Sequence, residues 1–93
     1  MPTSEVVKLI EEAIRDRQVL RVTYRRKDGL EAEHVVEPLA IRFNQARHRV
    51  LWCWSRGGDY LEEFLWDGIL DVVATGETFG PRPWVEPQLT STD

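Results

Sequence analysis

The sequence predicts a mainly β domain, with one amphipathic N-terminal α-helix followed by a small antiparallel β-barrel. Three observations carry this expectation. Apolar residues recur at helical spacing only near the start of the chain. From Val19 onward, five or six short stretches rich in β-branched and aromatic residues follow one another. Tight-turn signals separate those stretches. With 93 residues there is room for one domain, because chains of this size bury only roughly 60 to 70% of their unfolded surface, too little for a second core.

The helix is expected over residues 4–17. Thr3 or Ser4 supplies the cap, Glu5 lies in the first turn and Arg15 and Arg17 in the last, the order that suits the helix dipole. Val6, Ile10, Ala13 and Ile14 share one face with Val7 at its edge, while Glu5, Lys8, Glu12 and Arg15 are polar. This is the pattern of a surface helix packed on a sheet.

Residues 19–25 alternate with period two, and Asp28-Gly29 is a strong hairpin signal. A two-residue turn there pairs Lys27 with Leu30 and sets Arg26 opposite Glu31, Val22 opposite Val35 and Thr23 opposite His34. Leu20, Val22 and Tyr24 then face the core, and Arg21, Thr23, Arg25 and His34 share the other face. Pro38 cannot donate to a ladder, so the strand must bend or change neighbours there. Leu39 to Phe43, Arg49 to Ser55, Tyr60 to Leu65 and Leu70 to Thr75 read as further strands. Asn44 to His48, Arg56 to Asp59 and Trp66 to Gly68 read as their connections. The folded domain is expected over residues 1–80, with an irregular segment over 81–93 that frays from Thr90 to Asp93. Phe79 and Trp84 are candidate partner contacts.

The formal net charge is −4, which argues against a general affinity for polyanions, but the charges are segregated. From Arg15 to Arg56 ten basic residues face five acids, whereas from Asp59 onward eight acids face only Arg82. Either the middle segment forms a basic surface, or its charges pair on a solvated sheet exterior. The longest apolar stretches are a handful of residues, as at Val50 to Trp54, far short of a bilayer span. A start without a basic apolar leader and a single cysteine, Cys53, lead to the expectation of a cytoplasmic protein.

Chemistry is harder to assemble than a binding surface. His34, His48 and Cys53 have none of the recurring metal spacings, Gly57-Gly58 lies between strands, and Glu62 and Glu63 point to opposite faces. Cys53 alternates with Trp52 and Trp54 in a strand, where a thiol is usually an inert apolar group. No cofactor and no enzymatic activity are therefore expected. Trp52 and Trp54, with Val50, read as core, the alternative being that one of them stacks a base beside Arg42, Arg47 or Arg49.

Arg21-Val22-Thr23-Tyr24-Arg25, Asp28-Gly29, His34 to Leu39, Arg49-Val50-Leu51 and Phe64 to Ile69 together resemble the WYL domain, in order and spacing, over roughly Val6 to Phe79. The resemblance implies an Sm-type (SH3-like) barrel that serves as a sensory part of bacterial transcription regulators. It also implies an effector, in some members single-stranded DNA, held by a tyrosine and several arginines. This sequence departs from that pattern. The Trp-Tyr-Leu signature reads Arg49-Val50-Leu51, His34 stands where an arginine precedes the proline, and Leu65 and Gly68 replace the two arginines of the closing motif. The scaffold is kept while these forked donors are lost.

Two functions follow as expectations. The first is a ligand-sensing or protein-interaction module that works through a partner chain or self-association. The second is a single-stranded nucleic-acid or nucleotide binder. The candidate ligand residues are Arg21, Arg25, His34, Arg42, Arg47, His48 and Arg49.

Overall fold

A computed structural model describes residues 2–81, 83 and 84. Its elements run in the order α1 (Ser4–Asp16), β1 (Gln18–Arg25), β2 (Glu31–Phe43), β3 (Arg49–Ser55), β4 (Tyr60–Leu65), a 3-10 turn (Trp66–Gly68) and β5 (Ile69–Thr78). Thr3 is the helix cap, its hydroxyl accepting the Val6 N–H at 3.2 Å, and Arg17 ends the helix in the left-handed region with φ 56°. The expected frayed end, Thr90 to Asp93, lies outside the described residues.

The five strands form one antiparallel sheet in the order β4-β3-β2-β1-β5. Hydrogen bonding leaves β4 and β5 as edges, so the sheet is open, without the closure that would make it a complete barrel. It is nevertheless strongly curled. Leu65 ends β4 beside Val50, Ile69 begins β5 beside Tyr24, and only the 3-10 turn separates them. A three-residue link between the two edges of a five-stranded sheet requires the edges to come close together.

The core lies inside that curl, under α1. Val6, Ile10 and Ala13 of the helix meet Leu20, Val22, Val36, Leu51, Cys53, Phe64, Trp66, Ile69 and Val72. Among the described residues no helix is long and apolar enough to cross a membrane.

Two expectations about register and facing are corrected. The first hairpin has a three-residue loop: Gly29 N–H donates to the Arg26 carbonyl at 2.9 Å, and Arg26 N–H to that of Leu30 at 2.8 Å. Gly29, at φ 89°, takes the left-handed position that completes such a loop. Arg25 therefore pairs with Glu31, and Val22 pairs with His34. A one-residue slip turns every side chain over, so His34 lies on the core side and not beside Arg21 and Arg25.

The change of neighbours expected around Pro38 is found. β2 runs through it for 13 residues, paired with β1 up to Val36 and with β3 from Val36 onward. The change falls at Val36, two residues before the proline, and the β2–β3 ladder itself is interrupted between Pro38 and Ala40, next to the residue that lacks a donor.

Trp52 and Trp54 are not core. Leu51 and Cys53 point inward and are fully buried, which leaves the two tryptophans half-buried on the outer face, where Trp54 Nε1 donates to Asp59 at 2.9 Å. An uninterrupted apolar run offers no alternation to identify its inner face, and aromatic size favoured the wrong one. On the same outer side, Glu37 is 2% exposed and its carboxylate accepts from Arg56 Nε at 3.0 Å.

A basic, aromatic-floored cleft

The curl brings together segments that are distant in sequence. The β1–β2 loop and the β2–β3 loop lie at opposite ends of β2, yet both border one cleft, with the 3-10 turn between them and the start of α1 beside it. The cleft has a volume of about 1070 Å³. Five cationic residues line it, Arg25, Arg26, Lys27, Arg47 and Arg49, together with His48 and a single carboxylate, Asp67.

Pairing divides the five. Arg25 holds Glu31 at 2.8 Å and Arg26 holds Asp28 at 2.9 Å. Among the described residues, no carboxylate pairs with Lys27, Arg47 or Arg49. Pro2 and Ser4 bring the N-terminal end of α1 to the same opening, and its dipole adds positive potential there.

The floor is aromatic. The Arg49 guanidinium lies 5.1 Å from the Trp66 ring centre and 5.5 Å from that of Phe43, its cross-strand partner. Such contacts hold the guanidinium flat while leaving its N–H donors free. Phe43 is 65% exposed, an unusual position for a phenyl ring unless something covers it.

Each part of the wall is fixed locally. The β2–β3 loop repeats the hydrogen bonding of the first hairpin: Arg47 N–H donates to the Asn44 carbonyl and Asn44 N–H to that of His48, both at 2.9 Å. Here, however, the left-handed position belongs to Arg47, at φ 65°, where the first hairpin has Gly29. A side chain there costs roughly 1 kcal/mol relative to glycine. The 3-10 turn is held against β1 in two ways. Leu65 N–H donates to the Tyr24 hydroxyl at 3.1 Å, and a Cβ at Gly68 would stand 2.6 Å from the Arg25 carbonyl oxygen, so glycine alone allows this approach. Behind the wall, Tyr24 and Phe64 pack at 4.6 Å with the His34 ring 5.2 Å from Phe64.

Of the residues singled out from sequence, Arg25, Arg47, His48 and Arg49 border the cleft. Arg21 stands outside it, on the outer face between Val35 and Val73. His34 lies behind Tyr24, and Arg42 donates to its own strand's Ile41 carbonyl at 3.0 Å, opposite Val50. Phe79 and Trp84 are half-buried, and Phe79 N–H donates to the Arg17 carbonyl at 2.9 Å. Sequence reading missed Lys27, Phe43, Trp66 and Asp67. The position of Lys27 beside a turn signal was a usable clue, whereas the closeness of Phe43 and Trp66 to Arg49 depends on the curl.

Among the described residues no group of His, Cys, Asp and Glu side chains could hold a metal ion. Cys53 is buried, and desolvation, with the nearby Glu62 carboxylate, pushes its thiol well above the ordinary range, so it carries no nucleophilic thiolate near neutrality.

Comparison with known proteins adds three findings. The family model of the WYL domain matches residues 5–73. Among solved structures, proteasome accessory factor B/C (PafBC) of Arthrobacter aurescens is similar in fold, with a TM-score of 0.69 and 19% identity over 84% of this chain; the chain corresponds to 13% of the length of that one. No curated protein matches the chain.

Proposed function

We propose that this chain, which belongs to the WYL domain family, is a non-catalytic sensory module of bacterial transcription regulation. Its ligand carries phosphate and a planar base, as a nucleotide or a single-stranded nucleic acid does. One observation carries this reading: Lys27, Arg47 and Arg49, none of them paired with a carboxylate among the described residues, line the same cleft as the exposed Phe43 ring. Cations with free donors suit phosphate oxygens, and Phe43 offers a face for stacking, worth about 1–3 kcal/mol per base.

The family pattern is rearranged here. Leu65 and Gly68, at the positions of the closing-motif arginines, border the cleft, so its charge comes instead from the two hairpin loops and from the strand-end residues Arg25 and Arg49. Ligand specificity is therefore expected to differ from that of members that keep the arginines. Phe79 and Trp84 remain proposed contacts to a protein partner through which binding is relayed.

Fluorescence anisotropy of a labelled single-stranded oligonucleotide tests the reading. Binding at low salt should weaken steadily as salt is added, because phosphate contacts release counterions. Lys27→Gln combined with Arg47→Gly should weaken it at least about tenfold, and Phe43→Ala should weaken it with little change in salt dependence. An absence of binding at low salt, or binding indifferent to these substitutions, overturns the assignment.

A further inference from the structure

We propose that the free edge of β5 is a self-association surface, on which two copies of this chain pair their β5 strands antiparallel about a two-fold axis at Val73. The sheet has two open edges, and they are unlike. β4 carries Glu62 and Glu63, one toward each face, charged side chains of the kind that guard an edge against pairing. Its far end is also tied to β1 through Leu65 and Tyr24. β5 is ten residues long and has no charge from Val72 to Thr75.

That uncharged stretch is open to solvent. Val73 is 50% exposed on the outer face, and Ala74, which points to the core side, is exposed as well. Helix α1 therefore stops short of covering the strand there. Among the described residues, no turn, loop or cap residue hydrogen-bonds to the backbone of residues 71–75. On the outer face Val73 is flanked by Arg21 of β1, whose other neighbour is Val35, 37% exposed.

Charge selects both the partner and the register. Centred on Val73, the pairing sets Val73 opposite its own copy, Val72 opposite Ala74 and Asp71 opposite Thr75, so no carboxylate faces a carboxylate. Moving the axis to Ala74 opposes Asp71 and Glu77 at both ends, and moving it to Val72 sets Asp71 against Val73. The strand is thus self-complementary in one register, as a two-fold contact requires. The paired segment is short, well below a standard interface of about 1,600 Å², so the dimer forms reversibly and weakly.

Sedimentation velocity of the full chain over a concentration series should show a monomer–dimer equilibrium, which Val73→Lys should weaken at least about tenfold by facing two lysines across the axis. The register is read separately by cysteine cross-linking. Val73→Cys should form a disulfide with its own copy, since directly opposed antiparallel residues lie about 4.5–5.5 Å apart. Asp71→Cys should cross-link only when mixed with Thr75→Cys. A chain that stays monomeric, a dimer indifferent to Val73→Lys, or Asp71→Cys cross-linking alone as readily as Val73→Cys overturns the proposal.

Discussion

The Tyr24 hydroxyl accepts the Leu65 backbone N–H at 3.1 Å, joining β1 to the end of β4 across 41 residues of sequence. The same ring packs on Phe64 at 4.6 Å, so one side chain both contacts the core and holds the curled sheet together near its gap. Tyr24→Phe keeps the packing and strands the Leu65 donor. A loss of about 1 kcal/mol is expected, seen as a fall in Tm of about 4–8 °C by circular dichroism.

Arg47→Gly should separate binding from folding. Glycine relieves a left-handed φ of 65° at a turn whose counterpart already uses Gly29, while loosening the unfolded chain. The urea midpoint should hold steady or rise by the equivalent of up to about 1 kcal/mol, even as ligand affinity falls.

Arg56→Ala should be costly for a residue near the surface. Arg56 Nε donates to Glu37 at 3.0 Å, the Glu37 side chain is 3% exposed, and a second Arg56 nitrogen stands 3.5 Å from Glu77. Removing the guanidinium leaves a buried carboxylate without that counter-charge. A loss of about 2 kcal/mol in urea denaturation is expected, more than for the exposed pair partner Arg15.

Cys53 should give the stability profile an alkaline limb. Burial, with Glu62 adding to it, raises the folded thiol well above its usual range, whereas the unfolded thiol ionises near about 8.5. Its contribution is therefore fully present below the unfolded pKa and is lost as pH rises through the interval up to the folded one. Denaturant midpoints should fall above about pH 9, and Cys53→Ala should flatten that fall while lowering stability at pH 7.

Much of the scaffold was legible from residue order. The helix followed from its period and cap, and β3 and β4 appear where apolar stretches and turn residues placed them. Register was not. Asp-Gly suits a two-residue turn and a three-residue loop ending in a left-handed glycine equally well, and the structure uses the second, which moves His34 to the core side. The basic residues of the cleft were recognisable as a group. Their convergence was hidden because it depends on three-dimensional curvature: Lys27 and Arg47 lie near opposite ends of a 13-residue strand, and local sequence does not record that the strand bends until they border one opening.

The pairing of β1 with β5 also sets an order of assembly. Val22 meets Val72, fifty positions later in the chain, whereas β1–β2, β2–β3 and β3–β4 are each joined by a short loop. Three hairpins can zip locally, but the last strand must close a long loop, the slowest kind of contact to make. During synthesis β1 waits with one side unpaired until the ribosome has delivered β5. The interval in which this protein is most exposed to misassembly is therefore the time taken to translate β3, β4 and the turn that follows them.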